Sequence, residues 1–433
     1  MTLAMDDLSG RVPDEPRGKP VLIAGAGPVG CTLALYLAQA GIPVIVLDQA
    51  EGLPIDLRAS TFHPPTLDML DALGLTEKLI PQGLIVRDFQ FRERATGEAV
   101  NIPLCRLNGI TAHPYRLQCE QYKLTRTAIE MLNDYPHAEV RMGCQVLGFR
   151  ERADSVAALV FDGENESIVE GGFLVGTDGA GSRIRQASGT LFEGLTYPER
   201  FLVVSTTFPF ERHFDDLRWV NYVSDPDEWC VMLKTVDLWR VQFPTPPDAD
   251  PGELLSDEYI QDRLQRLHPK DGDYDVHHRT LYKVHQRVAE TYRVAPRVLL
   301  AGDAAHVNNP LGGMGMNGGI HDAFSLGEKL VEIINGSAPL DERLDLYDRQ
   351  RRGICIAFIQ ARTQENKRIM ESKDAAVRDA RRERLRALAK SQEEQDRYIM
   401  ETSMIQSLRD CARIGGDPAD DTIQVHTTNR KVA

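Results

Sequence analysis

The residues with the strongest chemical signature form the run Gly25-Ala26-Gly27-Pro28-Val29-Gly30, followed after one helix length by Asp48. The apolar stretch Val21 to Ala24 predicts a buried strand, Pro28 to Ala40 a helix stopped at Gly41, and Val44 to Leu47 a second buried strand. In such a βαβ unit Gly25 permits the tight turn, Gly27 lets backbone approach a pyrophosphate, and Gly30 lets the helix pack closely on the strand. The helix N-terminus offers unsatisfied N–H groups to phosphates, and Asp48 can accept hydrogen bonds from ribose hydroxyls. This pattern predicts a bound dinucleotide without separating FAD from NAD.

A second segment carries the same kind of chemistry. The apolar strand Val298 to Ala301 runs into Gly302-Asp303-Ala304-Ala305-His306. Pro310 follows, then the loop Gly312, Gly313, Met314, Gly315, Met316 and Asn317, then a long amphipathic helix from Ile320 to Ile334. A carboxylate at a strand end can bind a polyol chain, and dense glycines let backbone N–H groups approach a flat ring. A third segment, VGTDGAGSR from Val175 to Arg183, ends a strand with Asp178 and Gly179; alone it reads equally as a ligand turn or an ordinary one. His306 reads as a structural hydrogen-bonding group. No spacing of His, Cys and Asp makes a metal site, so no metal is expected.

Taken together, the three segments resemble the group A flavoprotein monooxygenases, the family of para-hydroxybenzoate hydroxylase and the phenol hydroxylases. The resemblance spans roughly Lys19 to Arg352. It implies that Gly25, Gly27 and Gly30 meet the FAD pyrophosphate and that Gly302 and Asp303 hold the ribityl chain. It further implies that Asp178 and Gly179 serve both FAD and the reduced nicotinamide, and that the loop from Pro310 to Asn317 meets the flavin. Asp56-Leu57-Arg58-Ala59 is similar to the family segment whose arginine contacts FAD, and Gln121 in QYKLTR stands where a glutamine commonly meets the flavin. The chain departs from the pattern in three places. Asp48 replaces a usual Glu, Gln49 stands where a basic residue is frequent, and Met314 where Gln or Lys is frequent.

What the resemblance implies about activity is an FAD-dependent aromatic hydroxylase. NADH or NADPH would bind transiently, reduce the flavin and leave; dioxygen would then form a flavin hydroperoxide that passes one oxygen atom to a small phenol-like or hydroxylated heteroaromatic substrate. A phenol reacts best as its phenolate, and lowering a pKa of about 10 toward 7 takes roughly 4 kcal/mol. His63, Tyr222, Tyr282 and His285 are the candidates for the group near the ring, each with an alternative as a packed or surface residue. Other outcomes on the same scaffold are a halogenase, a lipid reductase, or a flavin-binding module without turnover; the halogenase motif W-x-W-x-I-P is absent.

The rest of the chain must position these groups. Its 433 residues allow two or three structural units, and a net charge of -14 without a basic block argues against nucleic acid. The expected fold is α/β: a Rossmann-like FAD-binding domain, an inserted antiparallel substrate sheet and a C-terminal helical segment. The expected boundaries are 18–92, 114–192 and 282–350 for the first, 93–113 and 193–281 for the second, and 351–433 for the third. Pro65 to Leu75 and Tyr122 to Leu132 read as helices. Val86 to Arg94, Val140 to Phe149, Ala157 to Phe161 and Ser167 to Val175 read as strands, and Arg218 to Phe243 as a three-stranded meander. Trp219, Trp229 and Trp239 fall at equal spacing in that meander; interior packing is preferred to an aromatic cage.

Val21 to Leu47 is apolar enough to suggest a membrane span, but Gly and Pro divide it, and no span is expected. Residues Met1 to Arg17 read as a short disordered leader without a signal peptide, and the residues from Gly415 as a loose tail. Seven scattered cysteines, none in a C-x-x-C pair, fit reduced thiols and a cytoplasmic protein. The charged run after Tyr347 reads as a C-terminal cover or an oligomer contact, so a homodimer is among the expectations.

Overall fold

The computed structural model describes residues 18–55, 59–225 and 227–415. Arg58, the expected leader and the expected tail beyond Gly415 lie outside these residues. The βαβ unit forms as expected: strand Val21–Ala24, helix Pro28–Gln39 with Pro at its first turn, and strand Val44–Leu47. These strands are apolar throughout because helices and a second sheet cover both faces.

They sit at the centre of a six-stranded sheet. Phe173–Gly176 and then Val298–Leu300 lie parallel on one side of Val21–Ala24, and Val44–Leu47 and then Ala138–Arg141 on the other. The chain therefore leaves the first strand toward one side and returns on the other, which opens a crevice at the carboxyl ends of the central strands. Helix Pro28–Gln39 packs between Gly315–Ile334 and Gln121–Leu132. The approach of the first pair is close: a Cβ on Gly327 would lie 2.7 Å from the Tyr36 ring.

The second sheet has eight strands in the order His306–Val307, Val276–Ala289, Phe192–Thr206, Trp239–Pro244, Cys230–Lys234, Val220–Ser224, Asp88–Glu93, Ala99–Pro103. All neighbours are antiparallel except Val220–Ser224 with Asp88–Glu93. The expected meander is there. Its tryptophans serve the interior: Trp239 is fully buried, Trp219 lies 6.1 Å from it, and Trp229 packs edge-on against Phe201 in a different cluster. The boundaries expected at 92 and 281 run through strands Asp88–Glu93 and Val276–Ala289. Across 281 the alternation Tyr282, Val284 continues, so the pattern there carries no mark of the change of partner.

Three expected strands are each two. Val140 to Phe149 divides at Gly143, whose φ of +71° makes a turn, into Ala138–Arg141 and Gln145–Glu151 in different sheets. Ser167 to Val175 divides at Gly172 into Glu166–Gly171 and Phe173–Gly176, and Val86 to Arg94 into Leu84–Val86 and Asp88–Glu93. The long helix starts earlier than expected, at Gly315. Its glycines look unhelical in sequence but are demanded by packing, since a Cβ on Gly319 would lie 2.6 Å from Val29 and 3.0 Å from Gly302.

The C-terminal helices cover the eight-stranded sheet. Ala375–Lys390 and Gln392–Thr402 fold back onto Ala99–Pro103 and the turn Leu104–Leu107, burying Leu388 and Ile399 with Phe89, Ile102 and Leu104. Ion pairs Arg386–Glu98 (2.6 Å) and Arg106–Asp396 (2.6 Å) dock their polar faces. None of the described helices is long and apolar enough to cross a membrane.

Candidate active site

All three glycine segments meet in the crevice. Gly25 has φ +112°, and a Cβ there would lie 2.5 Å from the carbonyl oxygen of Thr177; on Gly30 it would lie 2.0 Å from that of Gly25. Thr177 bonds back through its hydroxyl to the carbonyls of Ala24 and Gly25, both at 2.9 Å. Ala301 N–H donates to Gly176 at 3.0 Å, and Gly302, at φ +61°, packs on Val29. Asp303 follows on an exposed turn beside the start of helix Pro28–Gln39. Segments far apart in sequence thus form one rim.

Open space lies where a dinucleotide would need it. A Cβ on Gly27, Gly179 or Gly181 would meet nothing within 4 Å. Helix Pro28–Gln39 has neither a side-chain cap nor an acid in its first turn, so its positive end is not neutralised by a side chain. Asp48 fixes the rim, accepting from Ala26 N–H at 2.6 Å and Ala50 N–H at 2.8 Å; each oxygen keeps a lone pair for a hydroxyl. Asp178 Oδ2 accepts from the amides of Arg183 (2.7 Å) and Ile184 (3.3 Å), whereas its buried Oδ1 has no partner. Burial raises the Asp178 pKa. Orphaned acceptor, open cradle and uncapped helix together fit the pyrophosphate and ribose of a dinucleotide.

The loop from Pro310 to Asn317, expected to meet the flavin, lies beside helix Gly315–Ile334 and the segment Thr61 to His63. Asn317 is buried and fully engaged: its amide donates to Thr61 O (2.8 Å) and Gly313 O (2.7 Å), and its Oδ1 accepts from His63 N–H (2.9 Å). Its side chain therefore holds the loop, tying Thr61, His63 and Gly313 together. His63 Nε2 lies 2.9 Å from Gly312 O and must be the protonated nitrogen, since a carbonyl only accepts. Burial, reinforced by Arg116, drives the His63 pKa well below its usual value. Met314, where a polar residue is frequent in the family, is buried in the core and also lines the cavity. Gln121 N–H donates to Ala59 O at 3.0 Å, which sets that helix start beside the segment following Arg58.

Two adjoining cavities open on this loop. The smaller is lined by Thr61, Arg116, Tyr222, Gln242 and Pro310 to Gly313, among others. The larger, about 870 Å3 including its open mouth, shares Arg116, Tyr222, Leu311 and Gly312 and extends to the C-terminal helices. Tyr222 stacks on Phe91 (5.3 Å, 27°), and Arg116 lies 4.3 Å over the Phe89 ring. Arg116 is 2% exposed, its Nε has no hydrogen-bond partner, and it makes no ion pair among the described residues. A guanidinium in that condition calls for an anion.

Of the four groups expected near the ring, the structure brings His63 and Tyr222 to the loop and cavities. Tyr282 and His285 line neither cavity, and His285 bonds Thr196 Oγ1 at 2.9 Å on the adjoining strand. Sequence reasoning missed Arg116 and Gln242, whose short strands show no chemical motif, and the contribution of the C-terminal helices. It also missed Asp322. This buried carboxylate receives Gly302 N–H (3.1 Å), His306 Nε2 (2.8 Å) and Arg351 Nε (2.6 Å) and so clamps the Gly302 turn. Its one signal was an acid on the apolar face of a helix. His306, read as a hydrogen-bonding group, is buried and makes its bond to Asp322.

The crevice fits a dinucleotide, and the loop beside it opens on a cavity walled by aromatic residues. The family model described as the FAD binding domain matches residues 19–362. Para-nitrophenol 4-monooxygenase of Pseudomonas sp. (strain WBC-3) is 33% identical over 364 residues, covering 83% of this chain and 89% of its own. The 6-hydroxy-3-succinoylpyridine 3-monooxygenase HspB of Pseudomonas putida (strain DSM 28022 / S16) is 36% identical over 355 residues, covering 80% and 88%. The crystal structure of p-nitrophenol 4-monooxygenase PnpA from Pseudomonas putida DLL-E4 superposes with a TM-score of 0.84 at 30% identity, covering 91% of this chain and 98% of that one. The chain belongs to the group A FAD-dependent aromatic hydroxylases; it is a monooxygenase that uses FAD, a reduced nicotinamide and dioxygen.

Proposed function

We propose that the chain hydroxylates a phenol or a hydroxylated nitrogen heterocycle held between Tyr222 and the loop Leu311 to Met314, with Arg116 binding the ring oxygen as its anion. The observation that carries this reading is the buried, ion-pair-free Arg116 at the junction of the two cavities. Both named relatives act, by their names, on rings that carry or resemble an ionisable hydroxyl, a nitrophenol and a hydroxypyridine.

Bound FAD supplies the redox chemistry, taking electrons from NADH or NADPH and activating dioxygen toward an electron-rich ring. The protein supplies charge, placement and dryness. A unit charge pair about 4 Å apart at an effective dielectric near 20 is worth roughly 4 kcal/mol, the size of shift needed to ionise a phenol near neutral pH. Arg116 cannot give up its own proton, so it stabilises the phenolate without competing for it. His63 is a positioning residue: neutral at working pH, it holds Gly312 O through its Nε2–H. Tyr222 and Phe91 offer a ring face for stacking.

The test uses FAD-loaded protein and 4-nitrophenol, whose phenolate is coloured. Wild type should bind it as the phenolate at pH values where free 4-nitrophenol is mostly protonated, and Arg116→Met should lose that shift. Equal ionisation in both would refute the role of Arg116.

Three further expectations belong to this proposal. The six-stranded sheet holds the nucleotide while the eight-stranded sheet and C-terminal helices hold the substrate. A cytoplasmic setting is supported by seven cysteines that are all free. Assembly as a homodimer is tested by light scattering of the purified protein.

A further inference from the structure

The larger cavity has a wall that the family model does not reach, because helix Ala375–Lys390 lies beyond residue 362. That helix carries five arginines, and their surroundings differ. Arg382 pairs with Asp379, Arg386 pairs with Glu98, and Arg378 donates to Lys373 O. Arg381 and Arg384, three residues apart and so on one face, line the cavity instead and make no ion pair among the described residues. Arg381 lies 5.9 Å over the Phe91 ring and donates to Met370 Sδ, a weak acceptor, at 3.2 Å.

The carboxylates nearby are bonded elsewhere and reach this wall only through their fields, Glu365 acting on Arg384. Glu365, also in the lining, is held by both branches of Arg368 at 2.7 and 2.8 Å, and Glu401 is taken by Arg362. Glu93 acts on Arg381 only through its field. With Arg116 at the other end of the aromatic wall formed by Phe89, Phe91 and Tyr222, the cavity has cationic groups at both ends. This contrasts with a chain of net charge -14, whose surface would repel an anion unless such a site attracted it.

We infer that the substrate carries a second anionic group, a carboxylate on a short arm, which Arg381 and Arg384 bind while the ring oxygen faces Arg116. This rests on the reading that the cavity takes the aromatic substrate. The arm directs the ring toward the Gly312 loop and discriminates against neutral aromatics of the same shape.

FAD-loaded protein is titrated with 4-hydroxyphenylacetate, 3-(4-hydroxyphenyl)propionate, the primary amides of both, and 4-nitrophenol, followed by flavin absorbance and by calorimetry. The better acid should bind at least tenfold more tightly than its amide, with added NaCl narrowing the gap. Arg381→Gln/Arg384→Gln should cut the affinity for the acid about tenfold and leave that for the amide within twofold; Arg384→Gln alone, an exposed change, should show part of the effect. Equal binding of acid and amide in wild type, or parallel loss of both in the variant, would overturn the inference. If 4-nitrophenol binds and neither acid does, the carboxylate site is refuted while the aromatic reading stands. Should none of the five probes perturb the flavin, the aromatic reading falls and the inference with it.

Discussion

Gly27 and Gly30 lie three residues apart in one turn, yet the structure gives them opposite jobs, and alanine substitution separates these. At Gly30 a Cβ would overlap Gly25 O at 2.0 Å and Thr177 Oγ1 at 2.6 Å. The backbone must move, at a cost of about 1–3 kcal/mol that exceeds the roughly 1 kcal/mol of helix propensity gained. At Gly27 the backbone is extended (φ -74°, ψ -178°) and a Cβ meets nothing within 4 Å. There, losing a glycine N-cap costs up to about 1 kcal/mol and the stiffer unfolded chain returns about 0.4–1 kcal/mol, so apoprotein stability should barely change. The same Cβ would occupy the space through which a pyrophosphate reaches the backbone amides. Gly27→Ala should therefore melt like wild-type apoprotein while binding FAD at least tenfold more weakly, a loss of about 1.4 kcal/mol. Gly30→Ala should melt lower even without FAD. Thermal denaturation of apoprotein and quenching of FAD fluorescence on binding read the two effects. Wild-type flavin affinity in Gly27→Ala, or a wild-type melting point in apo Gly30→Ala, would refute the assignment.

Asn317→Ala removes three hydrogen bonds that join Thr61, His63 and Gly313 and should cost about 2–4 kcal/mol of apoprotein stability, measured by urea denaturation. A variant as stable as wild type would mean that the loop is held otherwise. Acid sensitivity follows from His63 and His321, both buried neutral; burial lowers the His321 pKa to about 3. Because their folded pKa values lie below the unfolded value of about 6.5, each contribution is complete above pH 6.5 and is lost as pH falls, at up to about 1.4 kcal/mol per unit. His321→Gln should flatten the dependence of the urea midpoint between pH 6 and pH 4 by about one proton; an unchanged slope would contradict a neutral buried imidazole.

The nucleotide end of the site was legible because its requirements are local. Gly25, Gly27 and Gly30 answer to backbone conformation and close approach, and Asp48 to the end of the next strand, all within one βαβ unit. Asp303 follows an apolar strand into a glycine turn in the same local way, whereas the Asp178 turn read equally as an ordinary one until the family resemblance assigned it a role. The ring end was harder to read. Arg116 lies on a three-residue strand, and its importance arises only where two sheets and the C-terminal helices close around it. Charge alternation in Ala375–Lys390 signals a solvated helix, and nothing in its spacing separates Arg381 and Arg384 from arginines paired at the surface. Strand ends at Gly143 and Gly172 were obscured because apolar alternation continues while the sheet changes. The early start of the long helix was hidden by glycines that propensity penalises and packing against Val29 requires.

The central claim is that one atom of dioxygen reaches an aromatic ring at the expense of a reduced nicotinamide and bound FAD. The most direct measurement is turnover of FAD-loaded protein with NADH or NADPH under 18O2, with mass analysis of the product of whichever phenol stimulates nicotinamide oxidation. The account predicts a hydroxylated product carrying one 18O atom, with one nicotinamide oxidised for each product formed. Substrate-stimulated oxidation that yields only hydrogen peroxide, or a product oxygen derived from water, would contradict it.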